Sequence, residues 1–210
     1  MKHITGLLVL LLFSFSQTAE DIALKVEAKL RSLQSIQANF EHNYFSSSIS
    51  TPLKEKGKFY YKKPDLMKWE YKEPEKRIYL LKGGFFFEYI LEDKQIIQYD
   101  LSKEGYEPEI LFLLSGKKKI VDNYSLEFSP FPTEHPKAFQ LKLTPNREVD
   151  YSFILLEINE KSWLIQKAIF FDWAGNKQEF HFERIRANKP LARDLFELKA
   201  PPGVEIIKNR

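Results

Sequence analysis

The chain has no cysteine. That excludes a disulfide framework, a thiolate metal site and a cysteine nucleophile, so packing alone must hold the fold. It also excludes anchoring of this chain through an acylated cysteine. Only one pair of adjacent glycines occurs, Gly83-Gly84, and a hairpin turn accounts for it; neither a phosphate-cradling glycine loop nor a G-x-S-x-G elbow is present. Four histidines stand at 3, 42, 135 and 181, with no i, i+4 pair and no metal-ligand spacing. His42 and His181 fall in strands and read as surface or rim residues. The carboxylates are scattered along polar strand faces, and none is singled out for acid–base work. Net charge is +3 with both signs mixed, too small an excess for nucleic acid. The composition therefore argues against an enzyme and predicts neither a cofactor nor a metal.

Long apolar runs are also lacking, with one exception. Ile4 to Phe15 follows Met1-Lys2-His3 and has the length of a signal-peptide core, too short to span a bilayer. Residues 1–19 are read as a signal, with cleavage after Ser16 or after Ala19, and 20–210 as one exported, soluble domain.

What the chain has in abundance is aromatic: eighteen Phe, ten Tyr and three Trp. Large flat side chains suit either a β-rich core or a wide cavity that must not collapse. Ile22, Val26, Leu30 and Leu33 recur at helical spacing, predicting an amphipathic helix over 20–35, with Thr18 and Asp21 as a capping pair. From Ile36 the period becomes two. Strands are expected at 36–42, 56–61, 66–71, 77–81, 85–91 and 95–99, then at 124–128, 139–143, 153–158, 163–173 and 180–184. Pro108 to Gly116 interrupts them as a short apolar helix, and 192–195 is one helical turn. Lys117-Lys118-Lys119 is either a solvated run after a helix end or an attraction for anionic head groups. The count, about ten or eleven strands, requires a sheet that curls or is covered.

The most specific stretch is Gly57 to Tyr71. Two aromatic strands are joined by Lys63-Pro64-Asp65, and Met67, Trp69 and Tyr71 alternate with Lys68 and Glu70. With the opening helix and Ala38-Asn39-Phe40, and with Phe196-Glu197-Leu198 before Pro201, Gly203 and Val204, this pattern resembles the LolA-type lipoprotein carriers. The resemblance implies a mainly β fold: an incomplete, unclosed antiparallel barrel with short α-helices as a lid. It implies a monomeric carrier that takes triacylated lipoproteins from an inner-membrane ABC transporter complex to an outer-membrane acceptor, often LolB-like. A lipid- or glycolipid-binding or sensor module on the same half-barrel is the alternative reading, and a hydrolase a lesser one.

Alternation selects Trp69, Tyr71, Phe139, Leu141, Phe153, Leu155, Phe180 and Phe182, together with Phe40, for the concave, lipid-binding face, and Leu111 and Leu114 for lid contacts. A continuous apolar cavity is expected between the two. Family members commonly carry arginine before the proline that is Pro64 here, where it ties sheet to lid. This chain has Lys63, which the resemblance makes a candidate latch and which the local sequence alone makes a turn residue.

Overall fold

A computed structural model describes residues 17–102 and 109–209. The first sixteen residues, which hold most of the expected signal, lie outside it. Helix α1 (Ala19–Ser32) opens with a reciprocal cap: the Asp21 amide donates to the Thr18 hydroxyl at 3.1 Å, and the Thr18 amide to the Asp21 carboxylate at 3.0 Å. Acidic residues occupy its first turn and basic ones its last, which suits the helix dipole. Its apolar stripe, Ile22, Ala23, Val26 and Leu30, is wholly buried.

The rest is one sheet. Its strands are β1 (Ser35–Phe45), β2 (Leu53–Lys62), β3 (Leu66–Glu73), β4 (Arg77–Lys82), β5 (Phe85–Ile90), β6 (Gln95–Asp100), β7 (Tyr124–Phe128), β8 (Ala138–Pro145), β9 (Tyr151–Asn159), β10 (Ile165–Asp172), β11 (Lys177–Ala187) and β12 (Glu205–Asn209). The order is β12-β6-β5-β4-β3-β2-β1-β11-β10-β9-β8-β7, so β7 and β12 are free edges and the sheet does not close. Sequential hairpins account for most neighbours. One uses Gly83-Gly84, with φ of +61° and +80°, the left-handed pair that a two-residue turn between twisted strands demands. Strand β1 lies mid-sheet, between β2 and the late-coming β11. The described residues form twelve strands rather than ten or eleven, and one pairing departs from the antiparallel expectation: β12 runs parallel to β6. The extra strand follows Pro201-Pro202-Gly203 and is mostly exposed, so it carries no periodic signal.

Helices α2 (Glu109–Ser115) and α3 (Ile120–Asn123) join α1 on the inner face of the sheet. The expected helix at 108–116 is α2; α3 was not anticipated. The outer face has its own small cluster, in which Phe196, on a 3-10 turn (Arg193–Phe196), is fully buried against Tyr60 and Leu80. Lys62 Nζ ties this strap down through the Leu191 carbonyl at 2.7 Å.

Strand β9 corrects the sequence reading. Phe153 and Leu155 do not face inward; Ile154, Leu156 and Ile158 do. Phe153 lies on the outer face, stacked on Phe171 at 4.4 Å, with the Lys142 ammonium 5.3 Å from its ring centre. Leu155 is buried but shares that outer face. Because β9 is apolar on both sides, it has no period-two contrast to fix which side is which.

Candidate functional site

The inner face carries a continuous aromatic band. Phe86 stacks on Tyr79 at 5.7 Å, and Tyr79 meets Tyr71 edge-on at 5.6 Å. Phe40 bridges Tyr71 and Trp69 at 4.8 and 4.9 Å. Trp69 contacts Phe59, Phe180 and Phe182 at 4.6, 5.5 and 5.9 Å, and Phe180 reaches Phe170 at 6.2 Å. These tilted and edge-on geometries are the favoured ones for aromatic pairs. The band depends on Gly57, which lies opposite Phe40. A Cβ there would stand 2.7 Å from the Phe40 ring and 2.3 Å from the Glu70 carbonyl oxygen.

The helices sit on this band as a cover. Leu113 and Leu114 of α2 and Ile120 of α3 join the α1 stripe in one core with the sheet. Between cover and sheet the open space is only about 20 Å³, lined by Leu30, Ile36, Ala38, Phe59, Leu114, Leu164, Ile165, Phe182 and Ile185. That is room for about one water. Among the described residues the expected continuous cavity is not seen, and its place is taken by the helices' own side chains. The larger opening, about 430 Å³, is a crevice between the start of α2 and strands β9–β11. Its wall is mixed: Glu109, Asp150, Asp172, Asn176 and Gln178 beside Ile110, Tyr151, Phe170 and Phe180.

Polar contacts fasten the cover. Lys63 Nζ donates to the backbone carbonyl of Arg31, in the last turn of α1, and the Lys63 amide to the Gln34 carbonyl at 3.0 Å. Tyr61 Oη donates to the Ser115 carbonyl at the end of α2, at 3.3 Å. Glu27, buried on α1, accepts from the Val121 amide at 3.0 Å and from Arg31 at 2.8 Å, holding α3 to α1. Glu109 pairs with Lys118 at 2.7 Å and accepts from Tyr124, which in turn meets Tyr151 at 2.9 Å. The central lysine of the basic run thus folds inward onto a carboxylate instead of facing solvent.

Of the residues expected on the inner face, Phe40, Trp69, Tyr71, Leu141, Phe180 and Phe182 stand there, with Leu114 above them. Phe139 is half-buried at the margin, stacked on Trp163 at 5.8 Å. Leu111 lies on α2, but its side chain is outside the described ones. Sequence reasoning missed Glu55, which is buried between His42 at 3.0 Å and Arg77. His42 is correspondingly no rim residue: its side chain is only 12% exposed and its ring is parallel to Phe180 at 4.2 Å. The signal available was parity, since Glu55 and Gly57 share a face with Phe59 and Tyr61.

The chemistry of the site is passive. Burial pushes the Tyr71, Tyr124 and Tyr151 phenols well above their ordinary range, and Tyr79 up to about 12, so all stay protonated donors. Among the described residues no group of three or more His, Cys, Asp or Glu could hold a metal ion. No described helix is long and apolar enough to cross a membrane.

A covered apolar sheet of this kind has known counterparts. Residues 31–199 match the family described as "Outer membrane lipoprotein carrier protein LolA". The chain belongs to the LolA family. An outer-membrane lipoprotein carrier protein of Coxiella burnetii is 23% identical over 212 residues, covering 100% of this chain and 99% of its own. One from Methylococcus capsulatus is 24% identical, covering 97% and 96%. Among solved structures, an uncharacterized conserved protein from Thermus thermophilus superposes with a TM-score of 0.60 at 13% identity, over 92% of this chain and all of its own. Pseudomonas aeruginosa MucA/MucB gives 0.52 at 14%, over 87% of this chain and 61% of that one. Those two likenesses concern the fold alone. The LolA match begins at Arg31, in the last turn of α1, and runs through the Gly57–Tyr71 hairpin, α2, α3 and the strap to Lys199.

Proposed function

We propose that this protein is a periplasmic carrier that shields the acyl chains of triacylated lipoproteins and takes them from the inner to the outer membrane. The supporting observation is the aromatic inner face under a cover of three helices that is itself apolar on its underside. Each buried methylene contributes about 0.8 kcal/mol, so a lipid anchor leaves a membrane only for a comparably apolar shelter. Such a shelter is hidden from water when empty if the cover lies in it, and becomes available when the cover moves. The donor in this reading is an inner-membrane ABC transporter complex and the recipient an outer-membrane acceptor of LolB type. The carrier acts as a monomer, without a cofactor and without chemistry on its cargo. Residues 1–19 supply export.

Depleting the protein in its source bacterium tests the reading. Outer-membrane lipoproteins should accumulate in the inner-membrane fraction and return to the outer membrane when the chain is re-expressed. Unchanged fractionation at full depletion would overturn it.

A further inference from the structure

Trp69, in the middle of the aromatic band, carries a polar atom that nothing around it satisfies. The residue is 3% exposed, yet its indole Nε1 has no hydrogen-bond partner among the described residues. A buried N–H left unpaired is unfavourable by the desolvation of the group, so a retained orphan donor needs an explanation. Its position supplies one. On one side Trp69 touches Phe180, whose ring lines the half-polar crevice; on the other it touches Phe59 and Phe182, which line the small apolar space beneath the lid. Trp69 itself lines neither opening and stands between Phe180, on the crevice, and Phe59 and Phe182, under the lid. His42, the cross-strand neighbour of Phe180, stacks on it, and its buried Nε2 likewise has no partner among the described residues.

A cargo with long acyl chains and a polypeptide head has the same sequence of polarities: apolar tails, then carbonyl-bearing linkages, then a polar chain. We infer that Trp69 Nε1 donates a hydrogen bond to an acyl-ester carbonyl of the bound lipid, with the tails in the space vacated by α1 and α2 and the polypeptide leaving through the crevice beside Asp172 and Gln178. This rests on the carrier reading above and adds to it a polarity, a direction and one specific contact. The orphan donor is satisfied only when cargo is present, so it contributes to loading and nothing to closure. It also discriminates: hydrocarbon or an ether lipid of equal length fills the same space but leaves the N–H unpaired.

The test uses two synthetic lipopeptides with the same peptide, both N-palmitoylated on a terminal cysteine. One carries a dipalmitoyl-glyceryl thioether with ester links, and its match carries ether links to alkyl chains of equal length. The full-length mature protein should bind the ester compound about five- to tenfold more tightly, the range of one hydrogen bond formed in a dry site. Trp69→Phe keeps the ring and removes the N–H. It should bind the ether compound within about twofold of the parent and lose the ester preference. The inference is overturned if the parent shows no preference, if Trp69→Phe keeps it, or if the variant weakens both compounds equally, which would make Trp69 an apolar wall only. Should the variant not fold, the unmodified protein decides. Its Trp69 indole N–H proton resonance should move downfield with the ester compound and not with the ether one, and equal movement with both would overturn the inference. A parent protein that binds neither compound overturns the carrier reading itself, and the contact with it.

Discussion

At Gly57 a single hydrogen atom in place of a methyl decides whether the aromatic band can form. Phe40 lies over that backbone, and a Cβ would meet both its ring and a strand carbonyl. Gly57→Ala should therefore lower stability by about 1–3 kcal/mol, the usual consequence of overpacking. The urea midpoint should fall with the slope unchanged. Lys63 is a second residue with an outsized role. Its ammonium meets the Arg31 carbonyl in the last turn of α1, where a cation also suits the helix dipole. The contact is half-exposed, so its contribution is about 0.5–1.5 kcal/mol. Lys63→Leu should leave the fold intact, raise uptake of an apolar dye severalfold and slow handover of lipoprotein from carrier to acceptor membranes. Lys63→Arg should behave as the parent. Equal dye uptake by parent and Lys63→Leu would make Lys63 a turn residue. These side chains could be read from the sequence because alternation is clean where β1, β2, β3 and β11 are polar on one face. Phe153 and Leu155 were misread because β9 has no polar face. Glu55 was missed because a carboxylate on an apolar face looks like an interruption until Arg77 and His42 are seen around it.

Elements held together by polar networks respond to pH. On the outer face Glu179 is buried, which alone would raise its carboxyl. Hydrogen bonds from His181 and Lys177 and the charges of Lys167 and Lys177 outweigh that and hold it at about 2. Glu157 is likewise lowered: burial opposes, while His135, the Glu134 amide and Lys167 prevail. A carboxyl whose folded value lies below its unfolded value of 4.5 stabilises the fold above that pH, and the benefit is lost as pH falls toward 2. Stability should thus decline between pH 4.5 and 2, by up to ~3 kcal/mol from Glu179, seen as a falling urea midpoint. Glu179→Gln should flatten that decline while lowering stability at neutral pH, since Lys167 loses a partner. Helix α1 bears on export. Its capping pair uses Thr18, and Ala19 is already buried in its first turn. Cleavage after Ala19 would remove the cap, with a loss of about 1 kcal/mol. On the proposed removal of a signal, mass spectrometry of the mature protein should give Gln17 as the first residue, and a start at Glu20 would refute this. Most elements were legible because hairpin turns and the change from helical to strand period are local signals. Helix α3 was not, because four residues joined to α1 through Glu27 depend on a distant partner.

The whole molecule is a sheet with two open edges, and one of them is protected lightly. Strand β12 covers β6 in parallel pairing, with Ile206 58% exposed and Glu205 and Lys208 beside it. Removing residues 205–210 should leave the lid and aromatic band intact but uncover the longer antiparallel edge of β6. Light scattering should then show concentration-dependent association that the full chain does not show. No association up to millimolar concentration would mean that β12 does not guard that edge. The barrel class was legible in the sequence as a rhythm of short strands. That the interior is filled rather than hollow was not, because the same apolar residues serve a packed core and a cavity wall alike.

The place of β1 in the sheet has a consequence in time. A chain made from its N-terminus presents α1 and β1 first, and β2 to β6 can zip onto one side of β1 hairpin by hairpin. The other side must wait for β11, whose Ala187 pairs with Ile36 and whose Lys177 pairs with Phe45. Until then the lid exists without half of the surface it covers, and the edge of β1 lies open beside it. Such late, long-range closure makes folding slow and leaves an interval in which strand addition from another chain competes with the native partner.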